Sequence, residues 1–241
     1  MSTLSVNLAE AGPAPHASML TALRPSEYTA ALIGGLCVRS EWVRDKKALE
    51  VGSGSGVVLV AMAKLGAASL YGVDIEPLAV TASSALLRQM EYRGDIDVRC
   101  GDMWAPVAGQ RFDIIAANLP QFPMEPVSYA GRLPSWSSGG RDGRLLVDCF
   151  IDGLAAHLSR GGRAIITHNG FIGLEQTRAA LRQYGLSLRV SATYLVSLPA
   201  EKLELITPEI LDAELGRSIH RYGPYAFAEM HVVEIFDATL N

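Results

Sequence analysis

A run of alternating glycines follows the first strand-like segment of the chain. Gly52, Gly54 and Gly56 are separated by single serines, and Glu50 stands two residues before the first of them. Glycine lacks Cβ and adopts positive φ, so a ligand can lie against bare backbone at the start of a helix. The spacing is not the dinucleotide pattern Gly-x-Gly-x-x-Gly, because Val57 occupies the place of its third glycine. A carboxylate at position 50 would repel a pyrophosphate and suits a cationic ligand.

An acidic residue ends the next apolar segment. Residues 69–74 predict a short strand, and Asp74 follows the glycines at about the 20-residue spacing of a ribose-binding carboxylate. Such a carboxylate can accept hydrogen bonds from both ribose hydroxyls. The plainer alternative is an ordinary turn between strand and helix, with Asp74 as a helix cap. The agreement of the glycine spacing, the leading acid and the following acid favours a ligand site.

The pattern Glu-x-Gly-x-Gly-x-Gly resembles motif I of the class I S-adenosylmethionine (SAM) methyltransferases. SAM carries a sulfonium and an ammonium group and no phosphate, which suits the carboxylate at position 50. The resemblance implies an α/β fold with a Rossmann-like, seven-stranded, mostly parallel sheet, and SAM as co-substrate or sole substrate. The residues that bind SAM on this resemblance are Glu50, Gly52, Ser53, Gly54, Gly56, Asp74, Ile75, Gly101, Asp102, Met103 and Asn118.

The run from Arg24 to Gly162 is similar to the release-factor glutamine methyltransferases and their amino-methylating relatives. Their catalytic signature is Asn-Pro-Pro-Tyr, and this chain has Asn118-Leu119-Pro120-Gln121. In that signature the Asn side-chain carbonyl and the next backbone carbonyl accept hydrogen bonds from a planar amine, which aims its lone pair at the methyl carbon. The resemblance implies that Asn118, Leu119 and Pro120 are catalytic. The aromatic residue that stacks on the acceptor is replaced here by Gln121.

These residues favour methyl transfer to a nitrogen atom of a small molecule. The incomplete signature, and the short segment ahead of the resemblance, argue against a release factor as the acceptor. Tyr28, Gln121 and Trp136 are candidate substrate-pocket or lid residues, and ordinary packing is the alternative for each aromatic. Displacement at a sulfonium needs no nucleophilic side chain, in keeping with a sequence that shows no Cys-His or Ser-His arrangement.

Other functions remain open on the sequence. The amino group of SAM could attack its own γ-carbon, as in the azetidine-2-carboxylate synthases, which resemble methyltransferases and release methylthioadenosine. Transfer of the aminocarboxypropyl group to an acceptor is a related reaction. A protein N-methyltransferase would use the same site on a larger acceptor. A non-catalytic SAM-binding protein would keep the glycine turn without the chemistry.

Strand and helix patterns alternate along most of the chain, which predicts a parallel sheet covered by helices. Strands are predicted near 47–51, 69–74, 96–100, 112–121 with its exit, 163–167, 187–198 and 227–236. The last of them follows an insertion at about 199–225 and suits an antiparallel strand. Residues 1–45 are predicted to form a tail and a helical arm, either a lid or a helix packed on the sheet edge. Residues 46–241 form the predicted SAM-binding domain.

The composition is that of a globular protein with a sizeable core. Of the 241 residues, 49% are apolar, and the formal net charge is −4 with scattered Arg and Lys, so nucleic acid is not an expected partner. No apolar run reaches the length of a membrane span and no signal peptide is recognisable, so we expect a cytoplasmic protein. Cys37, Cys100 and Cys149 suit reduced, packed thiols, and the five histidines lack metal-ligand spacing, so no metal is expected. The sequence does not define the oligomeric state.

Overall fold

The computed structural model describes residues 25–124 and 137–239, which form one sheet with helices on both faces. The strands are β1 (Lys47–Val51), β2 (Ser69–Asp74), β3 (Asp95–Cys100), β4 (Phe112–Ala117), β5 (Leu158–Asn169), β6 (Leu186–Ser197), β7 (Ile219–Tyr222) and β8 (Tyr225–Asp237). Their order is β3-β2-β1-β4-β5-β8-β6, with β7 paired to β8. Strands β1 to β5 are parallel, whereas β8 is antiparallel to β5, β6 and β7.

The first helix precedes β1, and the others follow strands β1, β2, β4, β5 and β6. The helices are α1 (Glu27–Val38), α2 (Val57–Lys64), α3 (Pro77–Gln89), α4 (Leu145–His157), α5 (Leu174–Gln183), α6 (Ala200–Leu203) and α7 (Pro208–Glu214). Pro77 and Pro208 each occupy the first turn of a helix, where the missing N–H costs no hydrogen bond. In the described ranges, no helix combines the length and the apolar character of a membrane span.

The predicted fold class is confirmed, with one strand more than the seven that we expected. The additional strand is β7, which lies inside the predicted insertion at about 199–225. It forms a tight hairpin with the start of β8, in which Tyr222 pairs with Tyr225 across Gly223 and Pro224. With only four residues, β7 is too short to show a period of two in the sequence.

The centre of the sheet is buried on both faces, as parallel sheets usually are. On β4, Ile115 and Ala117 belong to one apolar cluster, and Ile114 and Ala116 belong to the other. The first cluster includes residues of α4 and α5, and the second includes residues of α1, α2 and α3. This two-sided burial explains the nearly continuous apolar runs of β1 and β4, whereas the edge strand β3 is largely exposed. The three cysteines are exposed, so the prediction of packed thiols is wrong.

The arm helix α1 packs on the sheet next to β5 and β8. Ala31, Leu32 and Leu36 on this helix are buried in the second cluster. A Cβ at Gly35 would lie 2.7 Å from Ile165 Cδ1, so a glycine is needed for the close approach of helix and strand. In its described residues the arm helix therefore packs on the sheet, and its role as a lid stays a prediction.

Glu234 is a buried carboxylate that joins α1 to the outermost strand. Its side chain is 1% exposed, and Oε1 accepts a hydrogen bond of 2.7 Å from Arg39 Nε. Arg189 on β6 donates to the other oxygen through Nε at 2.9 Å. Two partly exposed guanidinium groups thus compensate the burial of one carboxylate.

His168 on β5 is a fully buried histidine whose environment disfavours the charged ring. Its Nε2 lies 2.8 Å from Thr177 Oγ1 on α5, and Nδ1 is buried with no hydrogen-bond partner. The Thr177 hydroxyl also accepts a hydrogen bond from Arg144 Nη1 at 3.1 Å. Burial, then the neighbouring His231 and Arg144, lower the pKa of His168 to about 3.

We therefore expect His168 to make the protein less stable in acid. Between about pH 6.5 and about pH 3, the unfolded chain binds a proton at this residue and the folded protein does not. The free energy of unfolding should then fall by about 1.4 kcal/mol per pH unit from this group alone. In the His168→Gln variant, the free energy of unfolding should fall by about 1 kcal/mol less between pH 7.5 and pH 5.5 than in the wild type, measured by urea unfolding. An unchanged pH dependence in this variant would contradict the assignment.

Candidate active site

One cavity of about 330 Å³ lies at the carboxyl ends of β1, β2 and β4. Open parallel sheets bind ligands at this edge, where the strand order reverses direction, and the volume suits a small cofactor. All but one of the predicted SAM-binding residues line it, namely Glu50, Gly52, Ser53, Gly54, Asp74, Ile75, Gly101, Asp102, Met103 and Asn118. The predicted catalytic residues Leu119 and Pro120 line it as well.

The glycine turn supplies the floor of the cavity between β1 and α2. Gly52, Gly54 and Gly56 have φ angles of 75°, 50° and 79°, which only glycine adopts without strain. The N–H groups of Gly52 and Ser53 donate to Val73 O on β2 at 2.8 and 3.0 Å, so the turn is fixed to the neighbouring strand. Gly56 lies outside the cavity wall and begins α2 instead.

Asp74 has two roles at the end of β2. Its Oδ2 accepts a hydrogen bond of 2.8 Å from Gly54 N, and Oδ1 accepts one of 2.9 Å from Glu76 N. These bonds hold the carboxylate at the cavity wall and connect it to the glycine turn. Each oxygen keeps a further lone pair, so the predicted contact with two ribose hydroxyls remains compatible with this geometry.

Glu50 is a buried carboxylate that the protein itself does not neutralise. It is 3% exposed, lines the cavity, and its Oε2 has no hydrogen-bond partner. Burial raises the pKa of Glu50 well above its usual value; a backbone hydrogen bond from Leu59 opposes this shift, and the nearby Asp74 adds to it. A buried acid with one unpartnered oxygen beside a cavity fits a cationic group of a ligand, such as the ammonium or sulfonium of SAM.

The adenine end of the predicted site is formed by the turn after β3. Gly101 N donates to Asp74 O at 2.9 Å, which places this turn beside the ribose acid. Met103 adopts a φ of 44°, an uncommon value for a residue with a side chain. Ile75 is 65% exposed although it is apolar, so a flat ring lying against it would cover it. The roles of these residues toward adenine stay predictions.

Asn118 leaves β4 and is held by the next strand. Its Oδ1 accepts a hydrogen bond of 2.6 Å from the Thr167 hydroxyl on β5. Asn118, Leu119 and Pro120 therefore stand at the cavity wall on a short loop that begins where the β4 ladder ends. Such a loop can present a side-chain and a backbone carbonyl to an acceptor.

The structure does not place Gln121 in the cavity wall, contrary to its prediction as a substrate or lid residue. Gln121 is 5% exposed, and its Nε2 donates to Thr167 O at 2.8 Å while its Oε1 accepts from Asn169 N at 2.9 Å. The backbone groups that this amide binds lie on β5 beyond Ile166, the last residue that pairs with β4, which explains why the amide turns inward. Tyr28 likewise lies beside the cavity rather than in it, and its hydroxyl donates to Asn169 Oδ1 at 2.8 Å. Trp136 lies outside the described residues.

The sequence analysis missed several residues of this site. Thr167 carries no motif, although its place at the carboxyl end of the fifth parallel strand would have suggested it. Pro25, Ser26 and Thr29 line the cavity from the start of α1, and Leu146 lines it from α4. At the start of α1, the Ser26 backbone N–H donates to Thr29 Oγ1 at 3.2 Å. In the part of the chain that the structure describes, no group of three or more acidic, His or Cys side chains could hold a metal.

Comparison with known proteins identifies the family. A Methanocaldococcus jannaschii protein named "Putative protein N5-glutamine methyltransferase" is 32% identical over 167 residues, which are 68% of this chain and 81% of that protein. The chain belongs to the class I SAM-dependent methyltransferases. Residues 37–123 of this methyltransferase also match the family model described as ribosomal protein L11 methyltransferase (PrmA). The predictions of SAM and of a transferase are thereby confirmed.

Other proteins resemble the chain over a similar span. The release factor glutamine methyltransferase of Moorella thermoacetica is 27% identical over 64% of this chain, which spans about half of that relative, 53%. Among solved structures, the YcgJ protein of Bacillus subtilis has a TM-score of 0.60 at 14% identity over 86% of this chain and 98% of its own. The E. cuniculi Mtq2–Trm112 complex, described as methylating the termination factor eRF1, gives 0.57 at 15% identity over 89% of this methyltransferase and 97% of the matched chain. These two structures share the fold.

Replacing Asp74 with Asn should weaken SAM binding at least about tenfold, because the ribose loses a charged acceptor. The Asn side chain keeps one acceptor oxygen for the backbone N–H groups of the turn. We therefore expect SAM binding to be affected more than the stability of the fold. Isothermal calorimetry with SAM measures it. Asp97 on β3 forms an exposed ion pair with Arg99 and does not line the cavity, so Asp97→Asn is the matched control and should bind SAM normally. Unchanged affinity in Asp74→Asn would remove Asp74 from the SAM site.

Proposed function

We propose that this methyltransferase transfers a methyl group to the side-chain amide nitrogen of a glutamine in a protein. Two relatives support this acceptor by name, the N5-glutamine enzyme of M. jannaschii and the release factor enzyme of M. thermoacetica. The proposal replaces the small-molecule acceptor that the sequence analysis favoured, since no relative reported above is named for a small-molecule acceptor. It corresponds to the protein N-methyltransferase that the sequence left open.

The observation that carries the proposal is the arrangement of Asn118 and Leu119 in the same cavity as Glu50 and Asp74. SAM bound there supplies a methyl carbon that the acceptor nitrogen attacks as the carbon–sulfur bond breaks, the bonding pair staying on sulfur and the displaced proton leaving to water. Asn118 Oδ1 and Leu119 O accept the N–H groups of a primary amide and turn its nitrogen toward that carbon. Glu50 holds a positive group of SAM, and Asp74 holds its ribose. Positioning of this kind can supply a large part of a rate enhancement.

The departure from Asn-Pro-Pro-Tyr changes the wall that an acceptor meets. Gln121 is buried under the loop, so no aromatic side chain at this position faces the cavity. Met103, Leu119, Pro120 and Leu146 supply apolar wall instead. A glutamine side chain has a flat, narrow amide at the end of an apolar stem, and such a wall can contact the stem without stacking on the amide.

The test is incubation of the purified protein with SAM and a short peptide that contains a single glutamine between glycines. Glycine neighbours leave the glutamine side chain free to enter the cavity. Mass spectrometry should show one added methyl group on the glutamine and formation of S-adenosylhomocysteine. A peptide with asparagine in place of glutamine is the matched control and should be methylated far more slowly. Methylation of both at the same rate, or of neither, would overturn the glutamine proposal.

Incubation with SAM alone separates this chemistry from attack on SAM's own γ-carbon. Under the proposal, SAM stays intact without an acceptor, and S-adenosylhomocysteine forms only with the peptide. Methylthioadenosine in the sample without peptide would identify a SAM cyclase or a related lyase instead.

A further inference from the structure

The side chain of Gln121 continues the sheet past the end of β4. The backbone ladder between β4 and β5 ends at Ala117, which pairs with Ile166. Beyond it, Gln121 Nε2 donates to Thr167 O at 2.8 Å and Gln121 Oε1 accepts from Asn169 N at 2.9 Å. A side-chain amide has the same donor and acceptor as a peptide group, so Gln121 supplies one further rung where the backbone has already turned away.

The same few residues reach both carbonyl oxygens that would hold the acceptor. Gln121 Nε2 lies 3.3 Å from Leu119 O, and the Thr167 hydroxyl donates to Asn118 Oδ1 at 2.6 Å. The hydrogen-bond network extends to α1, because the Tyr28 hydroxyl donates to Asn169 Oδ1. Each carbonyl oxygen has two lone pairs, so one remains for an acceptor N–H when the other is used by the protein.

We propose that Thr167 and Gln121 are positioning residues for the acceptor carbonyls of Asn118 and Leu119. The inference rests on the proposed function, which assigns those carbonyls to the acceptor. An asparagine amide can rotate by half a turn and exchange its oxygen for its NH₂ group. The Thr167 hydroxyl favours one of these two orientations, because the exchanged amide would take away the oxygen to which the hydroxyl donates at 2.6 Å. Without the hydroxyl, Asn118 could present its NH₂ group to an acceptor that itself donates.

The amide of Gln121 acts on the neighbouring carbonyl. Pro120 restricts the backbone between Leu119 and Gln121, so anchoring Gln121 to β5 fixes the direction of Leu119 O. The aromatic position of the Asn-Pro-Pro-Tyr signature thus serves a different purpose in this chain. The side chain at this position binds the loop to β5 instead of contacting the acceptor.

Variants of two buried threonines separate positioning from ordinary packing. Thr167 and Thr177 are both fully buried, and each binds through its hydroxyl, but Thr177 contacts Arg144 and His168, neither of which lines the cavity. Thr167→Val and Thr177→Val remove the same hydroxyl with little change of shape. Thr167→Ser restores the hydroxyl. Gln121→Met removes the amide and keeps the length of the side chain.

The first measurement is steady-state turnover of the single-glutamine peptide with SAM. Thr167→Val and Gln121→Met should lower kcat about 10- to 100-fold, while the KM for the peptide and the affinity for SAM change by less than about threefold. Thr167→Ser should recover most of kcat. Thr177→Val should keep kcat within about twofold even if its melting temperature falls. Normal kcat in Thr167→Val, or an equal loss in Thr177→Val, would overturn the proposal.

The second measurement needs no acceptor and decides the inference if the wild-type protein does not methylate the peptide. In protein labelled with ¹⁵N at asparagine and glutamine side chains, the amide protons of Gln121 should exchange slowly with solvent. The Asn118 side-chain amide should give one ¹⁵N resonance with its two attached protons in the wild type and in Thr167→Ser. In Thr167→Val this ¹⁵N resonance should be shifted or doubled. If the peptide is not methylated but this spectral pattern is observed, the glutamine acceptor is overturned and the positioning role stands. An unchanged Asn118 resonance in Thr167→Val would overturn the positioning role.

Discussion

Replacing Glu50 with Gln should stabilise the SAM-free protein and weaken its binding of SAM. Because burial raises the pKa of Glu50, the folded protein holds this carboxyl group's proton more tightly than the unfolded chain does. Its contribution to the free energy of unfolding therefore becomes unfavourable as the pH rises above the unfolded value of about 4.3, and the penalty is complete above the folded pKa. The neutral amide of Gln carries no such penalty, so we expect a gain of about 1 to 3 kcal/mol at pH 8.

The affinity for SAM should fall in the same variant. The carboxylate gains a cationic partner when SAM binds, and Glu50→Gln removes that attraction, so the dissociation constant should rise at least about tenfold. Urea unfolding at pH 8 and pH 4 measures the first effect, which should be absent at the lower pH. Calorimetry measures the second.

Asp113 provides the control for both measurements. This carboxylate accepts a hydrogen bond from Lys47 N at the opposite end of the sheet and does not line the cavity. Asp113→Asn should leave SAM affinity unchanged and should not stabilise the protein. A loss of stability in Glu50→Gln at pH 8, or normal SAM binding, would show that Glu50 has another partner in the folded protein.

Gly56→Ala should be far more destabilising than Gly54→Ala, although both glycines have positive φ. A Cβ on Gly56 would lie 2.5 Å from Ser83 Cβ and 2.6 Å from Ser83 Cα, on the fully buried face of α3. A Cβ on Gly54 would meet no protein atom closer than 4.0 Å. Left-handed strain alone costs about 1 to 2 kcal/mol, and the collision with a helix backbone should raise the cost for Gly56 to about 3 kcal/mol or more.

Chemical unfolding of the SAM-free variants measures this difference directly. Gly54→Ala serves as the matched control for the strain, since it shares the turn and the sign of φ. Equal losses of stability in the two variants would mean that α2 and α3 can separate to admit a methyl group. Gly56 would then be required only for its backbone angle.

The parts of the site that the sequence predicted are those encoded locally. The glycine turn, Glu50 and Asp74 are identified by residue type and spacing within one βα unit, and the structure brings all but Gly56 to one cavity. The same holds for Asn118, because the end of a parallel strand has a known place in such a fold.

The parts that the sequence did not predict depend on pairing between distant segments. Gln121 looks like a surface residue of a loop until β5 is placed beside it, and Thr167 looks like any strand threonine until Asn118 is opposite. Both contacts span more than forty positions of sequence. The acceptor stays a proposal, because the incomplete Asn-Leu-Pro-Gln signature does not by itself distinguish a small molecule from a protein side chain.

Thr207 has a consequence for how this protein can vary. Its N–H donates to Pro123 O and its hydroxyl to Arg141 O, each at 3.1 Å, so one buried residue ahead of α7 holds both ends of the segment between them. The hydrogen bonds of Phe122 N to Ser137 O and of Met124 N to Gly140 O fasten the same two ends, so Pro123 and Arg141 stay close together in the folded protein. Because the ends are already held, we expect a change of chain length between residues 124 and 137 to cost mainly the entropy of closing the segment, which grows slowly with length.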